Sequence, residues 1–573
     1  MLVRCYLYQE MMSNIFNSGK YKTFLLVLVF VIIFIFLRIP GLDSPLHQDE
    51  YKWPEIANPA LSGGVEIPHP PLAQFIYETA GRVVGYDTDF RYVPLLFGTI
   101  NLLLLFYLMQ MLFGRKEAII ASLIWIFSYF SVLASLMVDT DGSVMPFFFL
   151  IALIGYFKLR FKEDRRLLWW GVLVLGVVGG FLVKISFLLV PAAIFADFLW
   201  SKRNLITKND LVKYAGYGIL SLIGLGLLLF VLKFVFPFFD LAKPFTYLTR
   251  FFDGPRGWFQ TGIQVAKAVL YSSPLLVLTP FFGSREIFVK VRVFFFFLLT
   301  AFFFYIVLFD SSLGALDRYL QLMILPLTVL TSIVIGQINW KENKRYESFL
   351  LSGIVVGAII FLFQFLPHYV PSLHPKEEWI NRFFSLNWNF VYPFSGGSGP
   401  LGFYVSFLVL SSAWIVSLGT LVLAFIKPNL KKSLIVFLIP ISFIYSGIFI
   451  EEYSYGLVHG SAPKLLVGAV KYIETNPYIE MVTVYNDNGG NEVRETGKYR
   501  KRLYTSPQFD INVKVATLNK FKEHYFVLDI PRVDPNSPYQ RYFESCRVDY
   551  REVDRDISAT IYDCRNAPEL TLE

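Results

Sequence analysis

Asp49 and Glu50 are adjacent carboxylates in HQDEYKWPEIA (47–57), which follows the first long apolar run of the chain. A second acidic site, Asp139 and Asp141 in VDTDGSVM (138–145), stands where another apolar run begins. An acidic pair in a loop is often no more than a solvated surface. At a membrane boundary, however, carboxylates are costly unless they are used. Partial dehydration raises the pKa of such a group and makes it a better proton acceptor. The pattern therefore suggests a base, with Asp49 the first candidate and Glu50 and Asp141 beside it. Asp141 is preferred over Asp139 because Gly142, Ser143, Val144 and Met145 run directly on into the apolar segment.

Basic residues on the same side could hold an anion. Lys184, in GGFLVKISF, and Arg318 with Tyr319, in LDRYLQLMILP (316–326), are the leading candidates. Each also has a plain reading as a snorkelling side chain. Lys52, Arg250 and Arg256 are weaker candidates. His69 reads as a cap on the Pro70-Pro71 turn or as a substrate contact. It is a poor metal ligand, since no second histidine or cysteine stands at ligand spacing. His47 is equally ambiguous.

These residues need a scaffold, and the composition says which kind. The 573 residues are 55% hydrophobic and 18% aromatic but only 17% charged. Several apolar runs approach the roughly 20 residues that cross a bilayer. The chain reads as an all-α polytopic membrane protein of about 13 transmembrane helices. The expected spans are 23–39, 92–113, 117–136, 143–160, 167–183, 185–200, 213–236, 264–282, 290–309, 316–337, 348–366, 401–426 and 432–450. The first lacks a small-residue cleavage site and is taken as a retained span. Residues 167–200 are apolar apart from Lys184. They could form one long tilted helix, but Gly179-Gly180 and Pro191 favour two short spans turning at Lys184.

Six short loops hold 20 Lys or Arg residues between them, while the alternate loops are poor in them. The positive-inside rule then puts the N-terminus in the cytoplasm and the C-terminal part outside. The first outer loop, 40–91, contains the acidic pair. It also contains Pro71 suited to a first helical turn, then Leu72, Phe75, Ile76, Ala80 and Val83 as an apolar stripe for a helix lying in the interface.

Residues 1–450 form the membrane domain on this reading, and 451–573 form a small soluble α/β domain outside. The latter carries 16 basic and 19 acidic residues, a net of −3, so the membrane part holds +11 and the whole chain +8. Its helix is APKLLVGAVKYIETN, and MVTVY, HYFVLDI and SATIYDC read as strands. Cys546 and Cys564 flank an expected hairpin, where an extracytoplasmic disulfide is chemically allowed. The basic residues sit in short loops between spans and give no sign of nucleic-acid binding.

HQDEYKWPEIA, HPPLAQF (69–75), VDTDGSVMPFF (138–148), GGFLVKISFLLVP (179–191) and LDRYLQLMILP resemble, in order and spacing, the pattern of GT-C glycosyltransferases. The similarity runs over about 15–340 and points to the protein O-mannosyltransferase and aminoarabinose transferase families. It implies a GT-C fold, a sugar donor on polyprenyl or dolichyl phosphate, and a protein, lipid or glycan acceptor on the outer face of a cytoplasmic or plasma membrane. It also implies that Asp49 is the catalytic carboxylate and that the chain turns at Lys184. Phosphate leaves readily, so a base and a phosphate-binding cation suffice. One-step displacement inverts the anomeric centre. No cofactor is required, although a divalent ion between Asp49 and Asp141 is compatible, as in oligosaccharyltransferases. A transporter or lipid-linked sugar flippase is the rival class. It would place charges mid-span on broken helices, often in repeated halves, whereas here the carboxylates cluster at one face.

Overall fold

The computed structural model describes residues 19–570 except 48–49, 59–68, 87–89, 162–163, 205–206, 237–238, 241, 244–245, 247–256, 285–288, 309–318, 341–343, 373–376, 395–400, 487–488, 504–510 and 531. Asp49, Arg250, Arg256 and Arg318 therefore lie outside the described residues.

The apolar runs form helices because in a bilayer every backbone group must be satisfied internally, and the run Lys431–Ser454 keeps its helix even across Pro440. In chain order these are α1 (Gly19–Phe36), the short α2 (Lys52–Ala57), α3 (Pro71–Val84), α4 (Tyr92–Leu112), α5 (Arg115–Phe127), α6 (Tyr129–Leu136), α7 (Val144–Arg160), α8 (Arg166–Val183), α9 (Leu189–Lys202) and α10 (Lys208–Val235). Then come α11 (Trp258–Tyr271), α12 (Pro274–Leu278), α13 (Arg292–Phe302), α14 (Ile324–Gly336), α15 (Arg345–Leu362), α16 (Phe407–Ile426) and α17 (Lys431–Ser454). Among the described residues, seven helices are long and apolar enough to cross a bilayer, or up to nine if each of two bent pairs counts as one crossing. Shorter apolar helices cover Tyr21–Phe36, Arg292–Leu308 and Gln321–Gly336. Large apolar side chains such as Leu167, Leu220 and Phe234 face outward, as a lipid-embedded surface requires.

Two expected spans are not straight. The run 117–136 breaks at Ser128, with 66° between α5 and α6, and 264–282 breaks at Ser272-Ser273, with 108°. Pro274 accounts for the second break, since the residue before proline disfavours helix. The first has no proline. There the buried Arg38 donates to Ser135 Oγ (2.6 Å), Ser131 Oγ (3.2 Å) and the Ile126 carbonyl (3.4 Å), so it holds both halves at their angle.

The chain does reverse at Lys184. Lys184 is extended (φ −157°, ψ 134°) between α8 and a 3-10 turn at Ile185–Leu188 that leads into α9. Lys184 bonds to Asp141 just before α7, while Asp197 bonds to Arg160 at its far end. Roughly 20 Å of helical rise separates those two contacts, close to the length of α7 itself. Gly180 permits the tight turn, because a Cβ there would meet the Phe187 ring at 2.3 Å.

Beyond the last long helix lies the α/β part. Its helix α18 (Ala462–Thr475) has Ser461 as N-cap, accepting from the Lys464 amide. The five-stranded sheet runs in the order β4-β3-β5-β7-β6, where β3 is Val482–Val484, β4 Tyr499–Arg502, β5 His524–Leu528, β6 Arg547–Asp554 and β7 Ile557–Asp563. The pairs β3–β4 and β3–β5 are parallel, whereas β5–β7 and β6–β7 are antiparallel. Cys546 and Cys564 form a disulfide across the β6–β7 pair. A short two-stranded sheet, β1 (Val391–Phe394) with β2 (Phe403–Ser406), precedes α16.

Candidate functional site

The site is built where the loop after α6 meets the loop after α1. Residues 129–146 are all buried. Their backbone is fixed by Met145 N bonding to Thr140 O (2.9 Å), Ser143 Oγ to Ala134 O (2.5 Å) and Asn101 Nδ2 to Ser143 O (2.7 Å). Gly142 has to be glycine, since a Cβ would lie 2.6 Å from Ala134 O and 2.7 Å from Gln321 Oε1.

Asp141 projects from this loop to Lys184, with Oδ2 to Nζ at 2.5 Å and both groups buried. The ammonium also lies 4.7 Å from the centre of the Tyr319 ring, a cation–π contact. Three of the predicted residues, Asp141, Lys184 and Tyr319, are therefore together. An ammonium carries three donors, and among the described residues Asp141 is the only hydrogen-bond acceptor of Nζ. Asp139 accepts from its neighbour Thr140, and its carbonyl accepts from Tyr77 OH (3.1 Å). Gln321 sits close by, its Oε1 buried without a partner among the described residues.

Glu50 makes a second buried pair. Arg91 grips it with both Nη atoms, at 2.9 and 3.0 Å, while the amides of His47 and Val138 each donate to it at 2.8 Å. Arg91 also donates to the carbonyls of Ser44, Pro45 and Leu136. Glu50 thus ties the first outer loop to the 138–143 loop, with its acceptor positions filled.

His69 does not occupy the N-cap position of α3, which is Pro70. The His69 imidazole stacks on Trp53, centroids 5.9 Å apart, and Trp53 stacks on Tyr77 at 4.8 Å. This stack links His69 to the Asp139 backbone. Lys52 is exposed at the start of α2.

The α/β part reaches the same loop through α19 (Gly490–Glu495). Arg494 lies 3.9 Å from Glu55 and 5.8 Å from the Tyr51 ring centre. Burial, and then the charges of Glu495 and Glu50, push Glu492 up to about 8.

Asp141 is paired with the Lys184 ammonium, and the other expected ligand of a divalent ion, Asp49, lies outside the described residues.

Sequence reasoning missed Arg91, Arg38 and Gln321. The signal for Arg91 was present: a basic residue immediately ahead of an apolar run, on the side the charge rule leaves poor in cations, calls for an acidic partner.

The family model for dolichyl-phosphate-mannose-protein mannosyltransferases matches residues 68–228. No curated protein matches the sequence. Among solved structures, ArnT from Cupriavidus metallidurans in the apo state superposes with a TM-score of 0.55 at 12% identity, covering 95% of this chain and 98% of that one. The same enzyme bound to undecaprenyl phosphate gives a TM-score of 0.54 at 12% identity and the same coverage. In fold, and over the family-matched segment in sequence, the chain resembles the GT-C glycosyltransferases, as its acidic loops and HPPL segment imply.

Proposed function

We propose that this protein transfers a glycosyl unit from a polyprenyl- or dolichyl-phosphate donor to an acceptor at the outer membrane face. The observation that carries the reading is Lys184: buried, held by Asp141 and the Tyr319 ring, and with donors to spare for a phosphate. An acceptor oxygen attacks the anomeric carbon opposite the phosphate. The carbon–oxygen bond breaks with its electron pair passing to the phosphate, and the acceptor proton passes to Asp49. Lys184 and Arg318 offset the charge arriving on the leaving group. Inversion follows from the single displacement.

Asp141 positions Lys184 in this scheme, and Glu50 with Arg91 positions the loop. Tyr319, His69, Asp139 and Lys52 line the donor and acceptor approaches. Glu50, the chain neighbour of Asp49, is anchored to Val138 in the loop that carries Asp141. An N-terminus in the cytoplasm, about thirteen crossings and an exported α/β part go with the reading. Apolar helices, whether long, bent or short, run through the described part of each expected span, although residues 403–406 of the span 401–426 form strand β2. Residues 1–450 and 451–573 are the two units.

Membranes containing the protein, incubated with a radiolabelled polyprenyl-phosphate sugar, test it. Release of the lipid phosphate with label appearing on an acceptor is expected, and Asp49→Asn abolishes both. Label crossing the membrane still attached to lipid, unaffected by Asp49→Asn, overturns the proposal in favour of a flippase.

A further inference from the structure

His368, His459 and Asp556 come from three separate parts of the chain. His368 follows the end of α15, His459 lies between α17 and α18, and Asp556 is in the turn joining β6 to β7. Asp556 Oδ2 lies 2.7 Å from His368 Nε2 and 2.8 Å from His459 Nδ1. The rings stand nearly perpendicular, at 76° with centroids 4.9 Å apart. His459 is fully buried, and the other two are partly open to solvent.

Hydrogen bonding makes the cluster more than a coincidence of polar groups. His368 Nδ1 is 3.1 Å from the Leu366 carbonyl, so that nitrogen carries the proton. In a neutral imidazole Nε2 then presents a lone pair, and it faces a carboxylate oxygen. Two lone pairs at 2.7 Å repel unless a proton or a metal ion lies between them, so an imidazolium makes this contact when no metal is bound. A ligating histidine whose other nitrogen donates to a backbone carbonyl is the usual arrangement around bound metals.

The surroundings hold the cluster rigid. Asp556 N donates to His459 O (3.1 Å), and the Ser461 amide donates to Asp554 (3.3 Å). Gly460, at φ 107°, lets the turn approach so closely that a Cβ would lie 2.1 Å from Asp554 O. Glu452 is next to the site but occupied, accepting from Gln364 Nε2 and from the His459 amide. No arginine or lysine is paired with Asp556 among the described residues. The contrasting group, His524, Asp549 and Asp563, already has Arg547 and Arg565 on its carboxylates at 2.8–3.1 Å.

We propose that His368 Nε2, His459 Nδ1 and Asp556 Oδ2 bind one divalent transition-metal ion of the zinc class, which staples the exported α/β part to the outer ends of α15 and α17. Metal–ligand bonds of about 2.0–2.2 Å place tetrahedral ligands roughly 3.3 Å apart. Binding therefore displaces the protons and lengthens the two histidine–carboxylate separations by about 0.5 Å. The solvent-open side leaves the fourth position to water.

The test uses full-length protein in detergent, stripped with EDTA and titrated with zinc. Stoichiometric uptake and a rise in the unfolding temperature are expected. His368→Ala and Asp556→Asn should weaken binding at least about tenfold, while His524→Ala leaves it unchanged. His368 is the least buried imidazole of the cluster, so His368→Gln serves if a neighbouring variant fails to fold. Equal zinc uptake and equal thermal shift in wild-type and His368→Gln protein would overturn the site. So would no uptake by the wild type, leaving a hydrogen-bonded clasp only. Metal content and thermal shift read this site independently of glycosyl transfer.

Discussion

Glu50–Arg91 and Asp141–Lys184 are two carboxylate–cation pairs on one face of the protein, buried to nearly the same degree. Their neighbours differ. Glu50 accepts four hydrogen bonds and Arg91 spreads its donors over Glu50 and three carbonyls. Among the described residues Lys184 gives one hydrogen bond and rests on a ring. Burial alone therefore does not separate scaffold from site. A filled pair can only hold structure, whereas a pair with donors left over can still take a ligand. Arginine suits the first role through its planar fork and lysine the second as a point charge.

Four experiments can break or sharpen that contrast. Arg91→Ala should have the largest effect, because it strands the Glu50 charge in a buried site. Breaking such a pair costs about 3–5 kcal/mol, seen as a large fall in the detergent unfolding temperature with activity lost alongside. Lys184→Met should instead lower transfer by about a hundredfold and weaken binding of polyprenyl phosphate, with a smaller thermal loss. Equal thermal losses in the two variants would erase the distinction.

Glu492 tests how far the filled pair is felt in the α/β part. Its carboxyl is raised to about 8 by burial, Glu495 and Glu50. Between the unfolded value and about 8 the native state keeps a proton that the unfolded chain has lost. Stability therefore falls as pH rises through that window, by at most about 1.4 kcal/mol per pH unit. Glu492→Gln should flatten that slope in thermal unfolding curves measured from pH 5 to 8. An unchanged slope would detach Glu492 from the Glu50–Arg91 pair.

The smallest effect belongs to the ring under Lys184. Tyr319→Leu should cost about 1 kcal/mol of donor affinity, and Tyr319→Phe less, in a lipid-phosphate binding assay. Equal losses in both would assign the role to the hydroxyl rather than to the aromatic face.

Much of this arrangement was legible in the sequence, for reasons that differ between residues. Lys184 stood out because a lone cation in an apolar run must have a purpose, and the flanking glycines and Pro191 marked a turn. Asp141 was identified by the small residues after it, one of which, Gly142, proves indispensable to the packing. The helix α18 and three strands followed from their apolar periodicity. The strands β4 (YRKR) and β6 (RVDYREVD) are charged edge strands without that pattern, and their pairing is decided by the sheet. The break at Ser128 left no local mark because Arg38, 90 positions earlier, imposes it. His368, His459 and Asp556 were invisible as a group since nothing local ties residues so far apart in the chain.

The Cys546–Cys564 cross-link has a use beyond holding two strands together. Sulfur pairs of this kind persist in oxidising compartments and are rare in the cytosol. A polypeptide whose final helix failed to translocate would therefore retain two reactive thiols. Gel mobility after treatment with a bulky maleimide then becomes a molecular ledger of sidedness, recording for each chain whether its last hundred residues ever left the cell interior.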